Sequence, residues 1–135
     1  MTSKHIINKT IKLNNGTTIP FLGLGTWEIR HADEVVYEAL KVGYRCIDTA
    51  VLYGNERLCG EGITRWLMED KSHKREDVYY ITKLWNNQNG YNNAKRAIQD
   101  CFDKVKDLKY IDLLLIHSPT EGKNMRLETW KAMQE

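Results

Sequence analysis

Apolar residues never run for the ~18–20 consecutive positions that a bilayer-spanning helix requires, so the sequence holds no candidate span. Neither sign of charge dominates. Twenty basic and 18 acidic side chains are mixed along the chain for a net charge of +2, which leaves no footprint for nucleic acid or an anionic membrane surface. Cysteine is scarce: Cys46, Cys59 and Cys101 are odd in number, show no CxxC spacing, and fall on apolar positions of strands or helices. Buried free thiols in a reducing compartment are expected, rather than a disulfide framework or a metal site. With only two prolines and no low-complexity tract, nothing divides the chain into domains. The stretch from Met1 to Asn8 lacks the apolar core of a signal peptide. A cytoplasmic protein is expected, with residues 1–135 forming part of one domain.

What is present is a regular alternation. Thr10–Leu13 and Thr17–Pro20 flank Asn14-Asn15-Gly16, which reads as a hairpin closed by a tight primed turn. Phe21–Thr26 reads as a short buried strand whose glycines allow close approach to the backbone. A helical stripe (Ala32, Val35, Val36, Ala39, Leu40) leads to Gly43, and Arg45–Asp48 is a second strand. The next helix starts near Asn55, with Cys59, Gly62, Ile63, Trp66 and Leu67 on one face. Val78–Lys83 is nearly all apolar, as strands covered on both faces are. Asn92 or Asn93 is the expected cap of a third helix with the stripe Ala94, Ala97, Ile98, Cys101, Phe102, Val105 and Leu108. Ile111–His117 is a fourth strand, and a last helix is expected to begin near Met125, with Leu127 and Trp130. Strand and helix alternate without sequence repetition, which implies successive βαβ units and a parallel sheet.

Three successive strands finish on ionisable side chains: Asp48 (with Tyr53 in the following loop), Lys83 and His117. In a parallel barrel such ends share the face where active sites are built. A phenol ordinarily titrates near ~10. A lysine ammonium beside it would favour the phenolate, a carboxylate would hold the lysine, and a histidine could orient a substrate oxygen. Such a unit could protonate an oxyanion as a carbonyl is reduced. Each residue also has a plainer reading: Asp48 capping a turn, Tyr53 packing in a loop, Lys83 in solvent, His117 as a satisfied structural histidine. All four together at matching positions of consecutive units are harder to explain that way.

The segments Gly23-Leu24-Gly25-Thr26-Trp27, Gly43–Ala50 with Tyr53-Gly54-Asn55-Glu56, Thr82-Lys83-Leu84-Trp85 and Asp112–His117 occur in this order and together resemble the aldo-keto reductases, most of all the yeast-type aldose/xylose reductase-like members. The resemblance implies a TIM-type (β/α)8 barrel, of which this chain is the first half: about four βα units, with an N-terminal β-hairpin plugging the barrel's bottom. It implies an NADPH cofactor (NADH less often) and a small-molecule carbonyl substrate. Tyr53 would be the proton donor, Lys83 would lower its pKa, Asp48 would complete the network, and His117 would orient the carbonyl. Trp27 and Trp85 would be aromatic pocket walls, while Gly25 and Thr26 would lie where the backbone approaches the cofactor, beside Asp48. The family's Ser-Asn pair and glutamine for the nicotinamide amide, its ring-stacking tyrosine and its basic loop for the adenosine phosphate belong to a second half that this sequence does not contain. The expectation is a truncated reductase with little activity of its own. A non-catalytic half-barrel that pairs with another chain through its open edges is the alternative. A barrel enzyme using Lys83 as a Schiff-base amine leaves Tyr53 and Asp48 without roles.

Overall fold

The computed structural model describes residues 6–135. The segment read for signal-peptide character therefore lies mostly outside the described residues. A two-stranded antiparallel hairpin, β1 (Thr10–Lys12) and β2 (Thr18–Pro20), precedes the main sheet. Its turn is not the tight primed type. Leu13 N donates to Thr17 O at 2.8 Å and Gly16 N to Leu13 O at 3.0 Å, with Gly16 alone of the turn residues at positive φ (+87°). That is a three-residue loop with a left-handed glycine, the next commonest hairpin connection.

Four parallel strands follow in sequential order: β3 (Leu24–Gly25), β4 (Cys46–Asp48), β5 (Tyr79–Leu84) and β6 (Leu113–Ile116). Each is followed by a helix: α1 (Ala32–Lys41), α2 (Glu56–Glu69), α3 (Tyr91–Lys104) and α4 (Gly122–Gln134). The long connection each parallel strand needs is thus helical, and it covers the sheet. Among the described residues, β3 and β6 each have one unpaired edge.

Alternation along β5 sets what faces where. Tyr80 packs against Ile47, Ile63, Trp66 and Leu108 under α1 and α2, while Leu84 joins Ala94, Ala97 and Cys101 under α3. Ile81 and Lys83 occupy the opposite face. The three cysteines are free and buried, and burial raises the Cys46 and Cys59 thiols to about 11 and Cys101 to about 12. At the amino ends of β5 and β6 the Arg75 guanidinium gathers the chain. It donates to the carbonyls of Leu108 (2.7 Å), Val78 (2.6 Å) and Tyr110 (2.8 Å) and to Asp112 Oδ2 (2.6 Å). The same Asp112 oxygen accepts the Tyr80 amide at 2.8 Å.

Several sequence expectations shift. Phe21 is exposed, and the close approach in that segment is at Gly23, where a Cβ would meet Cys46 Sγ at 3.0 Å; Gly25 faces open space. Val35 lies on the solvent side of α1, and Tyr37 is buried in its place. Gly90 (φ +94°), not Asn92 or Asn93, bounds α3, because its left-handed backbone turns the chain and places both asparagines inside the first turn. Val105 and Leu108 fall beyond α3 in the turn that ends it, yet both are buried. Helix α4 starts at Gly122 and buries Thr129 and Ala132, while Leu127 (55% exposed) and Trp130 (53%) point outward. Thr129 wins the inner face because its hydroxyl donates to the buried Asn89 Oδ1 and accepts the Gly90 amide, each at 2.8 Å.

Helices α1 and α2 pack through Gly62, where a Cβ would lie 2.5 Å from Asp33 O and 3.0 Å from Val36 Cβ. Overpacking of this kind is destabilising by about 1–3 kcal/mol. Gly62→Ala is expected to lower the urea midpoint by that measure, whereas Gly25→Ala, with nothing within 4 Å of its Cβ, is expected to stay within about 0.5 kcal/mol of the parent.

Candidate active site

The parallel register brings the four ionisable groups to one edge. Gly25 pairs with Asp48 and Asp48 with Ile81, while Lys83 and Leu84 pair with Leu115 and Ile116. Backbone bonds continue past the strands: Thr26 N to Asp48 O (3.0 Å), Thr49 N to Ile81 O (2.9 Å) and His117 N to Leu84 O (3.1 Å). Lys83, two residues beyond Ile81 on the same face, therefore projects toward the end of β4. Its ammonium donates to Asp48 Oδ1 at 2.7 Å, Thr49 O at 2.8 Å and the Tyr53 phenol oxygen at 3.3 Å. All three of its protons are used. The Lys83 side chain is 12% exposed and that of Asp48 33%, so this ion pair is more shielded than a surface pair. Lys83 does not point into solvent, and Asp48 holds an ammonium rather than a turn.

The aromatic groups close around this centre. Trp27 and Tyr53 meet edge-on at 4.9 Å between ring centroids, Tyr53 and His117 at 5.7 Å, and Trp85 and His117 at 5.0 Å. Trp27 is half exposed and Glu28 after it has φ +61°, a left-handed conformation that a non-glycine residue adopts only under local constraint. Glu28, Ile29, Arg30 and Leu58 wall a cleft beside Tyr53. The buried Nδ1 of His117 has no hydrogen-bond partner among the described residues. His117 is therefore not a satisfied structural histidine.

Thr26 is wholly buried, and its hydroxyl donates to Asp48 O at 3.0 Å; its side chain ties β3 to β4. Gly25 is exposed, with open space where a side chain would stand. That leaves bare backbone next to the Asp48 carboxylate, a fit for a flat cofactor ring. Sequence reasoning gave no role to the Thr49 carbonyl or to the buried Asn55. It also gave none to Asn86, whose Oδ1 accepts Ser118 Oγ at 2.7 Å and whose Nδ2 donates to Thr120 Oγ1 at 2.8 Å. This second tie fixes the loop of Trp85 to the loop of His117. Only the motif context of Asn55 hinted at importance; a carbonyl carries no sequence signal.

The description Aldo/keto reductase family matches residues 21–135. The chain belongs to the aldo/keto reductase family. It is 58% identical over 133 residues to the uncharacterized oxidoreductase YJR096W of Saccharomyces cerevisiae, covering 96% of this chain and 47% of that protein. It is 42% identical over 116 residues to the NAD(P)H-dependent D-xylose reductase of Pachysolen tannophilus, covering 86% of this chain and 36% of the other. The crystal structure of a Bombyx mori aldo-keto reductase in complex with NADP superposes with a TM-score of 0.82 at 39% identity, over 93% of this chain and 45% of that one. The chain spans about half the length, or less, of the curated relatives it matches. Its four βα units are the corresponding part of an aldo-keto reductase TIM barrel.

Burial, and secondarily the Lys83 charge, lower the His117 pKa below its ordinary 6.5, with Asp48 opposing. His117 in this aldo/keto reductase family chain is expected to titrate below 6.5 when its ring protons are followed by NMR. Lys83→Met should move the value up and Asp48→Asn down. Because the native value lies below the unfolded one, stability is full above pH 6.5. It falls as pH drops from there toward the native pKa, where the unfolded chain alone takes up the proton.

Proposed function

We propose that this site carries out reduction of an aldehyde or ketone to an alcohol, with NADPH (or NADH) as cofactor and Tyr53 as proton donor. The observation that carries the reading is the direction of one hydrogen bond. Lysine has donors and no acceptor, so Lys83 Nζ at 3.3 Å donates to the phenol oxygen of Tyr53. The phenol's own proton is then free for a substrate oxygen. As that proton leaves, the ammonium stabilises the charge left behind, and Asp48 at 2.7 Å holds the ammonium in place. His117, whose ring meets Tyr53 edge-on at 5.7 Å, would offer a second hydrogen bond to the same oxygen, so the carbonyl is oriented between Tyr53 and His117. Trp27 and Trp85 would wall the pocket on either side of Tyr53 and His117. Gly25, the Thr26 backbone and Asp48 would hold the nicotinamide, which supplies the hydride when bound. The relatives support this reading: one is named for NAD(P)H-dependent xylose reduction and another structure holds NADP.

The test is a chimera in which residues 1–135 replace the matching portion of the yeast relative, assayed by loss of nicotinamide absorbance with an aldose or a simple aldehyde. Turnover is expected, and Tyr53→Phe should lower it by about 10²–10⁴, the usual worth of positioned proton transfer. A folded chimera without turnover, or a Tyr53→Phe variant as fast as its parent, would contradict the assignment. The 1–135 chain alone is expected to show little or no turnover.

A second reading has its own observation. Met125 (42% exposed), Leu127 (55%) and Trp130 (53%) expose apolar surface on α4, and the outer edges of β3 and β6 are unpaired among the described residues. Open strand edges and apolar patches invite pairing. The isolated chain is expected to associate with itself, and sedimentation velocity of the parent against Trp130→Glu should show the larger species lost in the variant.

A further inference from the structure

Helix α2 begins directly after Asn55, a residue type whose side chain ordinarily accepts a hydrogen bond from the first helical turn. It makes no such bond here. The side chain is buried and turned into the strand-end loops instead. Its Nδ2 donates to the backbone carbonyls of Thr26 at 2.8 Å and Ile29 at 3.2 Å. Its Oδ1 accepts the Thr49 hydroxyl at 2.7 Å and lies 3.5 Å from the Thr26 hydroxyl. Carbonyls accept and hydroxyls can donate, so the partners fix which way the amide points. Both donors and the acceptor are engaged. No other side chain type of this size offers two donors and an acceptor in that arrangement.

The carbonyls of Thr26 and Ile29 bracket Trp27 and the left-handed Glu28. The residue at the Oδ1 end, Thr49, presents the carbonyl that holds Lys83 at 2.8 Å. We propose that Asn55 is a positioning residue: it sets Trp27 edge-on against Tyr53 and fixes the Thr49 carbonyl under Lys83, joining the loops after β3 and β4 from beneath the pocket. Helix α2 thereby forgoes its side-chain cap while Asn55 joins the two loops in one arrangement. The significance of the Trp27–Tyr53 wall rests on the reductase reading, but the geometry itself can be read without turnover.

The test is fluorine NMR of the chain labelled with 5-fluorotryptophan, with Trp27 assigned by the signal that vanishes in Trp27→Phe. Asn55→Asp keeps the size and the acceptor, loses both donors, and sets a carboxylate against two carbonyls. The Trp27 resonance is expected to shift or broaden while those of Trp66 and Trp130, in the helices, stay in place. Should Asn55→Asp fail to fold, Thr49→Val releases Oδ1 alone and is expected to move the same resonance by less. An unmoved Trp27 signal in a folded variant overturns the proposal. So does a shift shared by Trp66 and Trp130, which would mean general loosening. Failure of the reductase reading would appear separately, as a chimera without turnover whose Trp27 signal still answers to Asn55.

Discussion

The Lys83 ammonium is the contact on which the site's arrangement depends. A single cation at the end of the longest strand reaches a carboxylate at 2.7 Å, a carbonyl at 2.8 Å and a phenol at 3.3 Å. An unpaired ammonium at that depth would be unfavourable, and removing one partner of such a pair leaves the other charge poorly compensated. Asp48 therefore has a structural reason to stay in place, whatever else it does. The geometry that lets the groups meet comes from the sheet: parallel neighbours of short length, each ending near the same level, with helices covering one face.

The other face of β5 repeats the theme with different chemistry. Thr82, next to Lys83, donates its hydroxyl to the buried Glu56 at 2.5 Å, and Glu56 in turn holds Lys104 at 2.5 Å. Glu56 is the first residue of α2, where a negative charge also suits the helix dipole. Consecutive residues Asn55 and Glu56 thus address opposite tasks. One reaches into the loops around Tyr53, and the other fastens α2 to the back of β5 and to α3. Strand position and helix start are locked together, so the strand carrying Lys83 cannot slide relative to the loop carrying Tyr53.

Much of this was legible in the sequence. Alternation of strands and helices follows from hydrophobic pattern and turn residues, and Gly43 (φ +109°) does lie just past α1. Asp48, Tyr53, Lys83 and His117 stood out because ionisable residues closing apolar strands are conspicuous. The failures have physical causes. Leu127 and Trp130 marked the last helix in the sequence, but apolar character does not say which face of a helix is covered, and hydrogen bonds to Asn89 and Gly90 drew Thr129 inward. The cap of α3 was misplaced because asparagine is the stronger statistical cap, while a left-handed glycine can turn the chain without any side chain. The carbonyl of Thr49 and the amide of Asn55 act through three-dimensional neighbours with no spacing rule to betray them.

The Arg75 clamp sits at the amino ends of β5 and β6, while Lys83 and His117 lie at the carboxyl ends. One guanidinium gathers the carbonyls of Val78, Leu108 and Tyr110 there and pairs with the Asp112 carboxylate, which takes the Tyr80 amide. Holding β5 to β6 from that end leaves less of the task of keeping these two strands together to the loops at the other. Substitutions around Trp27, Trp85 or Arg30 can then reshape the cleft beside Tyr53 without touching the Arg75 clamp. For an engineer, that separation makes the strand-end loops the natural place to diversify and the Arg75 end the place to leave untouched.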